Sequence, residues 1–187
     1  MSDADAALVV IDMQQVFADP ASTWAAPRYA AAAAGVGRLL PAFAGRTVFT
    51  RFVAPERPAG AWLPYYDRWP DQLQPPDAPL WAFTPGLAAA GDPVVTATTF
   101  GKWGPELAEA TGGAERLVLC GVSTDCCVLS TALAAADAGV LVTVVRDACA
   151  GASEEDHERA LQAMALYAPL IELTTVDALL GAPAPAP

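Results

Sequence analysis

The chain has 187 residues, 54% of them hydrophobic and 17% charged, with a formal net charge of -11. That length suits one domain with a full core, and the apolar content excludes a disordered chain. The negative charge argues against nucleic acid and anionic membranes as partners, since rows of phosphate need a basic surface; a small-molecule substrate stays open, because one local cation can dominate a pocket.

The N-terminus, "MSDADAALVVID", is acidic and its apolar run is short. It predicts neither a signal peptide nor a membrane span, and so a cytoplasmic protein with free thiols. Residues 7–12, "ALVVID", read as a buried strand, and 28–43 as a helix interrupted by Gly and Pro. "RTVFTRF" at 46–52 is a second strand. The segment 53–83 is rich in proline and aromatics and too long for an ordinary connection, which marks a functional loop or lid. A third strand is predicted at 92–98, then a helix at "GPELAEATG".

The second half repeats the rhythm. "ERLVLCG" (115–121) is a strand, and "TDCCVLSTALAAADAG" a helix closed by Gly139. "VLVTVVRDA" (140–148) is a strand, followed by the helix "SEEDHERALQAMALYA" with Ser153 as its N-cap. "PLIELTTVDALLG" supplies a last strand and a short helix. One domain is expected over 1–180, with a disordered Pro/Ala tail at 181–187.

Strands alternating with helices predict the α/β class, as a Rossmann-like, doubly wound, six-stranded parallel sheet with helices on both faces. In the strand order 3-2-1-4-5-6, the first and fourth strands meet at the switch point, where such sheets bind ligands beyond their carboxyl ends. Asp12 ends the first strand, and Cys126 and Cys127 follow the fourth. The residues would then face one another across the edge.

Asp12 reads either as a loop-capping carboxylate or as a general base beside a thiol. At a helix N-terminus the macrodipole and unpaired N–H groups favour a thiolate, and the same groups can hold an oxyanion. Adjacent helical positions point about 100° apart, so at most one of Cys126 and Cys127 should face the site. Cys120, within a strand, and Cys149, in a loop, read as small core residues. Lys102 is the only lysine among ten basic residues, which suggests a place that wants a compact ammonium. With a single histidine, His157, and no CxxC spacing, the sequence argues against a metal. The turn "DMQQVF" lacks the glycines of a dinucleotide site, and no cofactor is expected.

"LVVIDMQQVF", "TTFGKWGPEL", "LCGVSTDCCVLSTALAAADAGV" and "VVRDACAGASEEDHERAL" together resemble the isochorismatase-like cysteine hydrolases. The resemblance covers about residues 7–178 and implies a catalytic Asp-Lys-Cys triad. It places the carboxylate at Asp12 and the nucleophile at Cys127, and implies a cis peptide at Val122–Ser123. Strict register puts Ala97 at the lysine position; Lys102, two residues after Phe100, is the lysine available and is assigned the role. The Asp/His-rich metal site that the resemblance implies for the nicotinamidase branch meets no histidine in "TRFVAPERPAGAW", and Cys127 argues against the isochorismate-cleaving branch.

The implied chemistry is cleavage of an amide or carbamoyl C–N bond through a thioester. Backbone N–H groups around Ser123 to Cys127 would bind the oxyanion. Phe17 and Trp103 would line the pocket, with Trp62, Tyr65, Tyr66 and Trp81 as further candidates and Arg51 meeting an anionic group. His157 reads as a surface or interface residue. The family resemblance implies a homodimer or homotetramer. A catalytically silent binding or assembly module on the same fold is the alternative.

Overall fold

Runs of Val, Ile and Leu form six strands: β1 (Ala7–Ile11), β2 (Thr47–Phe52), β3 (Val94–Ala97), β4 (Arg116–Val122), β5 (Leu141–Ala150) and β6 (Ile171–Thr174). The structure, a computed structural model, describes residues 6–88 and 91–181, so the tail after Gly181 lies outside the described residues. All strand pairs are parallel, and the sheet order is β3-β2-β1-β4-β5-β6, the doubly wound order expected. Every residue of β1 is buried, as are six of the seven in β4. Successive side chains in a strand point to opposite faces, so both faces of the central strands are covered.

The cover comes from α2 (Tyr29–Leu39), α5 (Leu129–Asp137), α6 (Glu154–Ala165) and α7 (Val176–Leu179), with α1 (Gln15–Ala18), α3 (Trp62–Arg68) and α4 (Pro105–Ala110) nearer the loops. α2 packs against α7 and β5, while α5 packs against α6. Gly35 lets α2 approach closely: a Cβ there would lie 2.9 Å from the Ala148 backbone. Past Leu39 the helix tightens to a 3-10 turn, Leu40–Phe43, because Pro41 cannot donate to an α-helical ladder. Ser153 caps α6 as expected, its Oγ accepting the Asp156 N–H at 3.0 Å.

Two boundaries differ from the sequence reading. β5 runs on to Ala150, so Cys149 lies in a strand and not in a loop. The helix after β4 opens as a π-wound turn, Thr124–Val128, before α5 begins. The 53–83 segment is ordered by α3 and by 3-10 turns at Pro70–Gln72 and Pro79–Trp81.

One side chain ties that excursion to the sheet. Gln14 is fully buried; its Nε2 donates to the carbonyls of Phe52 (2.8 Å) and Trp81 (2.7 Å), and its Oε1 accepts the Phe52 N–H at 2.8 Å. The clamp therefore joins the ends of β1 and β2 to the far end of the excursion.

No helix among the described residues is long and apolar enough to cross a membrane.

Candidate active site

At the switch point the backbones of β1 and β4 almost touch. Gly121 pairs with Ile11, and at φ 111° a Cβ on Gly121 would lie 2.1 Å from the Ile11 carbonyl oxygen. Only glycine fits there. Beyond this contact both chains leave the sheet: Asp12 turns with φ 47°, a left-handed conformation Asp tolerates better than most residues, and the Val122–Ser123 peptide is cis.

Asp12, Lys102 and Cys127 come together in the space so created, all buried. Thr50 Oγ1 on β2 donates to Asp12 Oδ1 at 2.6 Å, and the Asp12 N–H meets the same hydroxyl at 3.2 Å. Asp12 Oδ2 lies 2.9 Å from Lys102 Nζ, an ion pair whose angle falls short of a hydrogen bond. Lys102 Nζ also donates to the Thr99 carbonyl at 2.7 Å and stands 5.0 Å from the Phe52 ring centre. Thr131 links lysine and cysteine: its Oγ1 accepts the Lys102 N–H at 3.0 Å and donates to the Cys127 carbonyl at 2.6 Å. Lys102 thus reaches Asp12 although strict register gives that place to Ala97, which ends β3.

The Cys127 thiol faces this pair. Burial pushes its pKa well up and the Asp12 charge pushes it further, while the Lys102 ammonium pulls it back. The sequence reading expected the helix terminus to favour a thiolate; burial among these side chains works against it. Cys126 is also held up, to about 12, by burial and by Asp125, whose Oδ2 lies 3.5 Å from its sulfur. Both cysteines line the same cavity, contrary to the expectation of one. The wider π turn spaces neighbouring side chains more closely in angle than an α turn does.

A cavity of about 550 Å³ opens above Cys127. Phe17, Trp24, Phe52, Tyr65, Trp69 and Phe100 supply its aromatic wall, with Arg68 at the rim. Of the residues assigned to the pocket from sequence, Phe17 and Tyr65 line it. Trp62 stands behind them, edge-on to Phe100 at 5.1 Å and to Tyr65 at 5.2 Å. Trp103 is half-buried against the core outside the lining. Tyr66 and Trp81 are buried within the excursion. Arg51 is turned to β3, its Nε donating to Thr96 Oγ1 at 3.3 Å, and does not line the cavity.

Sequence reasoning missed Trp24, Arg68 and Trp69. Trp24 and Trp69 come from irregular segments and Arg68 from the end of the short α3, none with a period to read; the aromatic richness of 53–83 pointed only toward Trp69. His157 is also corrected: it is buried, with Nδ1 2.8 Å from Thr124 Oγ1 beneath the π turn. Its charged helix neighbours concealed that the residue itself faces inward.

A sequence model of the isochorismatase domain matches residues 6–177. The chain belongs to the isochorismatase family. Membership supports hydrolase activity. A stretch of 83 residues is 39% identical to isochorismatase domain-containing protein 2 of Xenopus laevis, covering 43% of this chain and 40% of that relative's length. The fold is that of a cysteine hydrolase from Pseudomonas syringae pv. phaseolicola, with a TM-score of 0.83, 20% identity, and 97% and 93% of the two chains covered. It is also similar to a pyrazinamidase of Pyrococcus horikoshii solved with zinc, with a TM-score of 0.75, 26% identity, and 91% and 99% covered. The donors here do not fit a metal. Among the described residues no three His, Cys, Asp or Glu side chains cluster to hold an ion, and the lone histidine is bonded to Thr124.

Proposed function

We propose that the chain is a cysteine-dependent hydrolase that cleaves an amide or carbamoyl C–N bond of a small molecule through a thioester. The observation that carries this reading is the buried meeting of Asp12, Lys102 and Cys127, drawn from three separate parts of the chain, at the floor of an aromatic cavity.

Burial and the Asp12 charge disfavour a free Cys127 thiolate, so attack and deprotonation are coupled. Asp12 takes the thiol proton as the Cys127 sulfur bonds to the substrate carbonyl carbon. Lys102 holds Asp12 in place and offsets the negative charge that builds at sulfur and carboxylate. The oxyanion is received at the N–H of Cys127, since the Ser123 carbonyl takes the Cys126 (3.2 Å) and Val128 (3.1 Å) N–H groups. The C–N bond then breaks, Asp12 gives its proton to the leaving nitrogen, and the amine departs. Water, deprotonated by Asp12, attacks the thioester; the acid leaves and the proton returns to Cys127.

The test is a screen of small primary amides and carbamoyl amines for amine release, with acid-quenched samples searched by mass for an acyl adduct on Cys127. Release that disappears in Cys127→Ala and an adduct confined to Cys127 support the reading. Release undiminished in Cys127→Ala sinks it; absence of both release and adduct across the screen favours a catalytically silent binding module.

A further inference from the structure

The charges around the cavity are unequally committed. Three charged side chains line it: Arg68, Asp125 and Asp156. Asp125 is occupied by its own loop, its Oδ1 accepting from Ser123 Oγ at 3.0 Å and from the Ala152 N–H at 2.9 Å, while Cys126 approaches Oδ2. Asp156 accepts from Ser153 Oγ at 2.6 Å and from Arg159 at 3.2 Å. Lys102 is spent on Asp12 and on the Thr99 carbonyl. Arg68 differs: among the described residues it has no ion-pair partner, and its guanidinium lies 5.3 Å over the Trp69 ring, exposed at the cavity mouth.

A planar guanidinium laid on an indole is pre-oriented and keeps its N–H edge free for a planar anion. Arg68, Tyr65 and Cys127 all line the one cavity, so the guanidinium and the thiol open onto the same space. The wall itself is aromatic. The protein as a whole carries -11, so it does not gather anions by its overall field and must recognise one locally.

Resting on the hydrolase reading, we infer that the substrate is an amide bearing a carboxylate at its far end, which Arg68 receives over the Trp69 face while an apolar spacer crosses the aromatic wall to Cys127. Arg68 is then a specificity-determining residue. Neutral amides of the same length would fill the wall but leave the guanidinium to water.

The experiment uses matched pairs: monoamides of dicarboxylic acids and the corresponding neutral diamides, with two- to four-carbon aliphatic spacers and a phenylene spacer. Binding is measured by calorimetry in Cys127→Ala, which prevents turnover. At least one monoamide should bind about fivefold or more tightly than its diamide, the scale of a bidentate pair at a partly solvated rim. Adding Arg68→Ala should abolish that preference by weakening the monoamide far more than the diamide, and Arg68→Lys should keep part of it. The inference fails if no monoamide is preferred, or if the preference survives Arg68→Ala. The wild-type protein is assayed in parallel for acid release from the preferred monoamide. A preserved anion preference without acid release removes the hydrolase reading and leaves the anion site standing.

Discussion

Lys102 is fully dry at its side chain, and so is the carboxylate it faces. Removing either partner strands a buried charge, a loss of about 3–5 kcal/mol. Lys102→Met and Asp12→Asn should therefore each lower stability to denaturant by about that much, whereas the double variant should lose much less than the sum of the two. Additive losses would show that the two groups do not compensate each other. The same pair governs the thiol. Because burial and the Asp12 charge raise the Cys127 pKa, iodoacetamide labelling in the wild type should still be climbing above pH 9. Asp12→Asn removes a raising charge and should move the curve to lower pH; Lys102→Met removes a lowering charge and should move it higher. Labelling that levels off near neutral pH would contradict this ordering. His157 titrates in the opposite sense. Its folded pKa lies below the ordinary 6.5, chiefly through burial, so the unfolded chain binds the extra proton first. Stability from this group is complete above about pH 6.5 and declines as pH falls through that value toward the folded one. His157→Gln should flatten that part of the stability profile against the wild type, measured as midpoint denaturant from pH 7 to 5.

Between strands and connections, Gln14 is the decisive joint. Gln14→Ala leaves the Phe52 N–H and the Phe52 and Trp81 carbonyls without their side-chain partner in a dry place, at about 1–3 kcal/mol for each group left unsatisfied. The excursion should loosen: hydrogen exchange across 62–81 should quicken while β4 and β5 keep their protection. Equal acceleration in all of them would mean global destabilisation and no joint. The strands were legible because buried parallel strands are written as short β-branched runs, and the alternation with helices makes them parallel, while their order came from assuming the doubly wound arrangement. Asp12 was legible as a strand-end residue and the Cys126–Cys127 pair as a helix start, but only the family resemblance chose between the two cysteines. Lys102 was legible only by its rarity, since its reach to Asp12 depends on the path of residues 98–102. The π turn and the walls were not, because α1, Trp24 and the α3 region owe their places to ring-on-ring contacts such as Trp24 with Phe52 at 5.5 Å and Tyr65 at 6.0 Å, which leave no period along the chain.

Taken as one body, the described residues share one buried apolar cluster that runs from β1 and α2 through β4 to α6 and β6. No seam separates the halves on either side of the switch point, so heat should unfold the described part in one cooperative transition. Two resolved calorimetric peaks would refute that. Within this one body, the proposed reactive groups and part of the cavity wall have separate origins. Asp12, Cys127 and Lys102 hang from the ends of β1 and β4 and from the approach to α4, while Tyr65, Arg68 and Trp69 of the wall hang from an excursion held at its far end by Gln14. Residues 55–80 could accordingly be replaced as a cassette, with Gln14, Phe52 and Trp81 kept as the splice points. A lineage of such proteins could then exchange diets without relearning how to break a bond.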